Sequence, residues 1–168
     1  MLELLKSADP RLRQETKPYV FHDHSDVQAQ QIVDALTEVM RSSGGVGLSA
    51  NQIGMKWRVF IIKVGDEIVP IFNPKLVDTF GENVYYDEGC LSFPNLFMKV
   101  KRFQGLRLRF ASQNGEVDTK KFTGMTARIM LHEIDHLDGV VFTDRANRMQ
   151  RERGMKKKKQ LDRRAKAA

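Results

Sequence analysis

Hydrophobic residues recur at helical spacing near the start of the chain, between residues 25 and 43. The apolar stripe consists of Val27, Ile32, Val33, Leu36, Val39 and Met40. Ser25 or Asp26 is a suitable N-terminal cap, and Gly44-Gly45 supply a C-terminal stop. The pattern predicts an amphipathic helix that packs one face against the core.

From Trp57 onwards the pattern changes to short apolar runs and alternation, which favours β-strands. Residues 57–64 and 67–72 flank Gly65-Asp66 and predict a hairpin. Pro70 indicates that the second of these strands is an edge strand or is bulged. Further short strands are predicted at 75–80, 84–87, 97–102, 106–110 and 116–122, the last two joined by Asn114-Gly115. Such short connections favour antiparallel pairing.

Two more helices are predicted near the C-terminus. The first spans about 125–137 and ends before Gly139. A tail helix starts near Thr143 or Asp144 and covers about 144–165, with Gly154 as a point of interruption. The chain of 168 residues is 41% hydrophobic, which suits a single domain spanning residues 1–168.

Composition excludes several classes of protein. There is no run of about 18 apolar residues, so no membrane helix is expected, and the first residues do not resemble a secretory signal. The single cysteine cannot form an intrachain disulfide, which favours a reducing compartment. The net charge of +7 arises in the tail, because Asp144–Ala168 holds 11 Lys/Arg and 3 Asp/Glu, whereas the preceding residues sum to −1.

The predicted helix at 125–137 contains His132-Glu133-Ile134-Asp135-His136. Residues four apart face the same side of a helix, so His132 and His136 can bind one metal ion. Glu133 is then placed to move a proton of a reacting water, as in other H-E-x-x-H sites. The alternative is an ordinary helix with two hydrogen-bonded histidines. The expected fold is therefore α+β, with antiparallel β-sheets around this central metal-site helix, an N-terminal helix and a basic C-terminal helix.

A catalytic metal ion needs a third protein ligand. Metzincin proteases would place a histidine where this chain has Phe142, and a thermolysin-like assignment would use Glu152, which lies in a strongly basic segment. The remaining soft donor is Cys90, within Glu88–Pro94. Its thiol would ionise beside a metal and complete a Cys-His-His site.

A glycine-rich segment, Gly45–Gln52, lies between the first helix and the strands. It lacks the spacing of a phosphate-binding loop. It is either a simple turn or a place where backbone approaches an extended ligand, with Gln52 facing that ligand.

Together these motifs resemble the peptide deformylase family, which carries G-x-G-L-A-A-x-Q, E-G-C-L-S and H-E-x-D-H. The matching segments are Gly45–Gln52, Glu88–Ser92 and His132–His136. Ser49 replaces the usual alanine, a change expected to preserve the turn. Leu131 stands where many members have glutamine.

The resemblance implies removal of the formyl group from the N-terminal formyl-methionine of new polypeptides, with release of formate. Implied metal ligands are Cys90, His132 and His136, and the implied metal is Fe²⁺, with Ni²⁺, Co²⁺ or Zn²⁺ as substitutes. Glu133 is the implied base, and the Gln52 amide and the Leu91 backbone N–H are the implied oxyanion donors. The implied substrate-binding residues are Gly45, Val46, Gly47, Gly89, Arg128 and Ile129.

Around the ligands, Asp135 or Glu88 is expected to accept a hydrogen bond from a histidine, with Arg102 as the rival partner of Glu88. The resemblance also implies a cytoplasmic monomer, of bacterial or organellar type, that meets formylated nascent peptides and no membrane. The basic tail is either a solvated helix or a ribosome-docking surface.

Two other functions compete with this interpretation. A zinc endopeptidase would use the same H-E-x-x-H helix, but Phe142 and Cys90 disfavour it. A basic RNA-binding module would explain the tail and leave the first two motifs without a role.

Overall fold

The computed structural model describes residues 2–167. The helices are α1 (Asp26–Ser42), α2 (Gly124–Leu137), α3 (Phe142–Arg145) and α4 (Arg148–Ala167), with short 3₁₀ turns at Pro10–Arg13, Phe21–Asp23 and Ala50–Ile53. The strands are β1 (Gly47–Ser49), β2 (Val59–Val64), β3 (Glu67–Cys90), β4 (Phe93–Ala111) and β5 (Val117–Thr123). No helix within residues 2–167 is long and apolar enough to span a membrane.

The five strands form one antiparallel sheet in the order β1-β2-β3-β4-β5. The prediction of antiparallel pairing is confirmed, but the sheet is continuous and not divided into several. The residues predicted as short strands do lie in strands, but the predicted breaks between them are wrong. Residues 67–72, 75–80 and 84–87 all belong to β3, and residues 97–102 and 106–110 both belong to β4. Asn73 and Gly81 adopt positive φ angles near register shifts between these strands, so they bend the strand without reversing it.

Pro70 lies where β3 pairs with β2 alone, opposite Ile61. Pairing with β4 starts only at Phe72, so at Pro70 one side of β3 has no neighbouring strand. A proline, which has no N–H to donate, is tolerated beside such an open side. The prediction of an edge position at Pro70 is therefore confirmed locally, although β3 lies inside the sheet farther along.

Strand β2 is buried on both faces, which explains its uninterrupted apolar run. Val59 and Ile61 pack in the cluster that contains α1, whereas Phe60 and Ile62 pack against the buried face of α2. Because successive strand residues point to opposite faces, β2 lies between the two helices. This arrangement packs α2 against β2.

Helix α1 begins as predicted, with a capping box between Ser25 and Gln28. The predicted apolar stripe is buried except at Val27, whose exposed fraction is 64%. Val27 lies in the first turn, and the stripe that meets the core starts one turn later. Gly139, with a φ of 71°, follows α2 as predicted.

The predicted tail helix is wrong at both its start and its interruption. A short helix, α3, ends at Arg145, and α4 begins only at Arg148. Gly154 lies within α4 without breaking it. A Cβ atom there would lie 2.8 Å from the Phe97 carbonyl oxygen and 2.6 Å from Met98 Cγ. Gly154 therefore allows α4 to approach β4 closely.

Candidate metal centre

Helix α2 presents His132 and His136 on one side, with their ring centroids 5.0 Å apart. His136 is completely buried. Burial lowers the pKa of His136 well below its ordinary value, with the charges of His132 and Arg102 acting in the same direction. The imidazole is therefore held neutral, the form that offers a nitrogen lone pair to a metal.

Cys90 reaches the two histidines from the end of β3. Its Sγ lies 3.2 Å from His136 Nε2, and the Cys90, His132 and His136 donor atoms all lie within 4.8 Å of one another. Metal–sulfur and metal–nitrogen bonds are about 2.3 and 2.1 Å, so one ion can bind all three donors. Two imidazoles and a thiol are a donor set that fits a divalent transition metal.

Neither of the other two positions considered from the sequence supplies a third ligand, although the Phe142 ring lies 5.9 Å from the His132 ring. Glu152 is exposed on α4 and pairs with Arg148. Phe142 is buried, and its ring packs against Phe93. Neither residue belongs to the cluster that could hold an ion.

Glu88 performs both of the roles that the sequence left open. Its Oε2 lies 3.2 Å from His132 Nδ1, and both of its oxygens accept hydrogen bonds from Arg102. Burial alone would raise the pKa of Glu88, but the hydrogen bonds from His132 and Arg102 outweigh burial and lower it to about 2. Asp135, the other candidate, pairs instead with Arg102 and Arg145.

Arg128 belongs to the same buried network. Its guanidinium donates to Glu88 Oε1 at 2.7 Å and to the carbonyl oxygens of Val100 and Val84. Its guanidinium is therefore fully engaged inside the protein.

Glu133 is 3% exposed, and its Oε2 accepts a hydrogen bond of 2.6 Å from Ser49 Oγ. Burial raises the pKa of Glu133, and the His132 charge and the Ser49 hydroxyl act against this rise. From the sequence, Ser49 was expected only to preserve a turn. The missed signal is strand alternation, which places Ser49 on the same face of β1 as Gly47.

Gly47 supplies the space that the Glu133 carboxylate occupies. A Cβ atom on Gly47 would lie 2.5 Å from Glu133 Oε1 and 2.8 Å from Ile129 Cγ2. The glycine-rich segment is therefore more than a simple turn, because its backbone lies directly against α2.

The Gln52 amide is oriented by three neighbours. Its Oε1 accepts a hydrogen bond from the Ser49 backbone N–H, and its Nε2 lies 3.5 Å from Cys90 Sγ and 3.2 Å from Ser92 Oγ. Gln52 is 2% exposed. Its donor group is therefore turned towards the proposed ligand Cys90.

A cavity of about 530 Å³ lies beside this site. All six residues predicted to bind substrate line it, namely Gly45, Val46, Gly47, Gly89, Arg128 and Ile129. The cavity also contains Gln52, Cys90, Leu91, His132 and Glu133. Three separate motifs thus meet at one site, while the individual roles of these residues remain predictions.

Comparison with known proteins agrees with this arrangement. A sequence profile of the polypeptide deformylase family matches residues 1–152. The chain is 39% identical over 143 residues to the peptide deformylase of Heliobacterium modesticaldum, covering 85% of this chain and 92% of that protein. The corresponding enzyme of Hyphomonas neptunium is 35% identical over 168 residues, covering 97% and 94%.

Solved structures show the same likeness. The crystal structure of a peptide deformylase from Synechococcus elongatus in complex with actinonin has a TM-score of 0.86 and 32% identity, covering 94% of this chain and 85% of that one. Peptide deformylase from Thermotoga maritima has a TM-score of 0.82 and 33% identity, covering 88% and 98%. The chain belongs to the polypeptide deformylase family, the metalloenzymes that remove the N-terminal formyl group from newly made polypeptides.

Proposed function

We propose that the cavity between β1, β3 and α2 is where this chain deformylates formyl-methionyl peptides. Cys90, His132 and His136 hold the metal, Glu133 moves the proton, and Gln52 with the Leu91 backbone N–H binds the developing oxyanion. The convergence of three ligand atoms within 4.8 Å, beside a buried carboxylate and in a cavity, is the observation that supports it.

The proposed metal is Fe²⁺, on the grounds of family resemblance, and the same donors accept Ni²⁺, Co²⁺ or Zn²⁺. When bound, such an ion polarises a carbonyl and lowers the pKa of a bound water. Glu88 holds the His132 ring through Nδ1, which leaves the other ring nitrogen for the metal.

Glu133 is proposed to act first as base and then as acid. It takes a proton from the attacking water and passes that proton to the departing amino group. Burial favours the protonated form of Glu133, whereas the Ser49 hydroxyl favours the ionised form. These opposed influences suit a group that must both accept and release a proton.

Two donors are proposed to stabilise the oxyanion as the formyl carbon becomes tetrahedral. Gln52 Nε2 is fixed beside Cys90, and the Leu91 backbone N–H follows Cys90 in the chain. Removing one such donor typically lowers kcat by about 10²–10³-fold. Gln52→Ala should therefore impair the reaction severely without abolishing it.

The substrate methionine is proposed to lie against Val46, Ile129 and the stem of Arg128, which line the cavity together. Strand β1 is at the edge of the sheet, so the following peptide residues can add to it as an extended strand. Such binding relies on main-chain hydrogen bonds, which makes selectivity for later residues loose.

We further propose that residues 1–168 form one catalytic domain that acts as a monomer in the cytoplasm or an equivalent organellar compartment. Contact of α4 with β4 through Gly154 supports a single domain. The Lys/Arg-rich surface of α4 supports docking to ribosomal RNA, where formylated chains emerge. Replacing Lys156–Lys159 with glutamine should weaken ribosome co-sedimentation at low salt and spare cleavage of short peptides.

The decisive experiment measures formate release from a formyl-methionyl peptide by protein loaded with Fe²⁺ without oxygen. Glu133→Gln, which keeps the side-chain shape, should retain one metal per chain and lose nearly all activity. Cleavage of an unformylated protein substrate, without formate release, would instead support the zinc endopeptidase.

A further inference from the structure

Ser49 stands where the resembling family motif usually has alanine, and its side chain contacts Glu133. It shares a face of β1 with Gly47, because alternate residues of a strand point the same way. Ser49 Oγ lies 2.6 Å from Glu133 Oε2, while the other oxygen, Oε1, lies beside Gly47. The two β1 residues therefore contact opposite oxygens of one carboxylate.

The Ser49 hydroxyl can donate one hydrogen bond, and two acceptor oxygens of Glu133 lie within hydrogen-bonding distance. Its Oγ lies 3.0 Å from the Glu133 backbone carbonyl oxygen and 2.6 Å from Glu133 Oε2. The carboxylate is nearer, and a hydrogen bond to a charged acceptor is the stronger of the two. Because Ser49 is completely buried, water is poorly placed to replace its hydroxyl.

The same residue also orients the second proposed catalytic side chain. The Ser49 backbone N–H donates to Gln52 Oε1 at 3.0 Å, which leaves Gln52 Nε2 facing Cys90. The backbone of Ser49 thus holds Gln52, and its hydroxyl holds Glu133. Only the second of these contacts depends on the residue being serine.

We propose that Ser49 is a positioning residue, whose hydroxyl holds the Glu133 carboxylate so that Oε1 remains on the side of Gly47 and the cavity. This inference rests on the proposed role of Glu133. Alanine at position 49 would leave Oε2 without this donor, and the carboxylate could rotate into the space that the hydroxyl occupied.

The test compares Ser49→Ala and Ser49→Thr with a matched control, Thr16→Val. Thr16 Oγ1 is a buried hydroxyl that donates to the Leu137 carbonyl oxygen, also on α2, at 2.9 Å. The control therefore removes a buried hydroxyl bond to the same helix and leaves Glu133 untouched.

We expect Ser49→Ala to lower kcat about tenfold, since a hydrogen bond to a charged group is lost. KM and the metal content per chain should not change, and Ser49→Thr should recover kcat because it restores the hydroxyl. A crystal structure of Ser49→Ala should show the Glu133 carboxylate rotated while Gln52 remains in place. Thr16→Val should leave kcat unchanged.

The proposal is overturned if Ser49→Ala and Thr16→Val have the same kcat, or if Ser49→Ala changes only KM or metal content. If Ser49→Thr does not fold, kcat and the Glu133 orientation in Ser49→Ala decide the question. Failure of the unaltered protein to release formate would refute the proposed function instead. The crystallographic orientation of Glu133 would then still test the positioning role.

Discussion

Charged side chains occupy two contrasting regions, the buried network beside the metal centre and the surface of α4. In the network, Arg102 joins Glu88 to Asp135, and the side chains of all three are 6–8% exposed. On α4, Arg148 and Glu152 also form an ion pair, but their side chains are 90% and 66% exposed. Buried charges require complete partners, whereas exposed charges can be solvated by water.

The difference shows why charge content alone does not locate function. The tail carries more than the whole net charge of the protein, because the rest of the chain is slightly negative. Water and salt nevertheless weaken the interactions of its exposed charges. The positive and negative charges of the network nearly balance, and Glu88, which the network holds in place, forms a hydrogen bond with His132. Position and burial, more than number, give a charge its structural effect.

Arg102→Met should cause the largest loss of stability among the changes considered. It removes the bridge between Glu88 and Asp135, and breaking a buried ion pair typically costs about 3–5 kcal/mol. The lower end of that range is expected, because Glu88 keeps Arg128 and Asp135 keeps Arg145. Urea unfolding measures the free energy of unfolding. A smaller loss of this free energy than in Arg148→Met, which changes an exposed arginine, would contradict the comparison.

Gly154→Ala tests a point where α4 lies close against β4. Alanine favours a helix by about 1 kcal/mol over glycine, but the new Cβ would lie 2.8 Å from the Phe97 carbonyl oxygen. The clash should win, with a net loss of about 1–3 kcal/mol. Arg153→Ala, one residue earlier, is the control, and equal thermal stability of the two variants would show that α4 packs loosely.

Asp144→Asn tests a half-exposed pair between these extremes. Burial alone would raise the pKa of Asp144, but hydrogen bonds from Arg13 and the Val141 N–H outweigh burial and hold it below the ordinary value of 3.8. Its stabilisation is therefore complete above that value and is lost as the pH falls through the lower folded pKa. At neutral pH the variant should lose no more than about 1 kcal/mol. Unfolding curves from pH 7 to acid should converge, and a constant gap would exclude an ionic origin.

Arg148→Met is the matched control for Arg102→Met and should have the smallest effect. It breaks the exposed pair with Glu152, and such helical pairs contribute about 0.3–0.5 kcal/mol. The difference from the unaltered protein should vanish at high salt. A loss comparable to that of Arg102→Met would show that exposure does not decide the energetic value of these pairs.

The local patterns of the sequence predict an element well where that element is amphipathic and buries one face. Helix α1 and the cap at Ser25 follow from spacing and from hydrogen-bonding side chains. The tail does not follow from local pattern, because Gly154 normally weakens a helix and its packing against β4 depends on the tertiary structure. The length of β3 is also not evident from local pattern, since a glycine such as Gly81 can make either a turn or a bulge.

By itself the sequence determined the types of donor available for a metal and the spacing of His132, Glu133 and His136 along a helix. The convergence of Cys90 with those histidines depended on the end of β3 reaching α2, as did the hydrogen bond between Glu88 and His132. The contact of Ser49 with Glu133 was likewise decided by the position of β1 against α2. Residue type sets what a group can bind, but distance and burial set what it does bind, and both arise only when distant segments pack together.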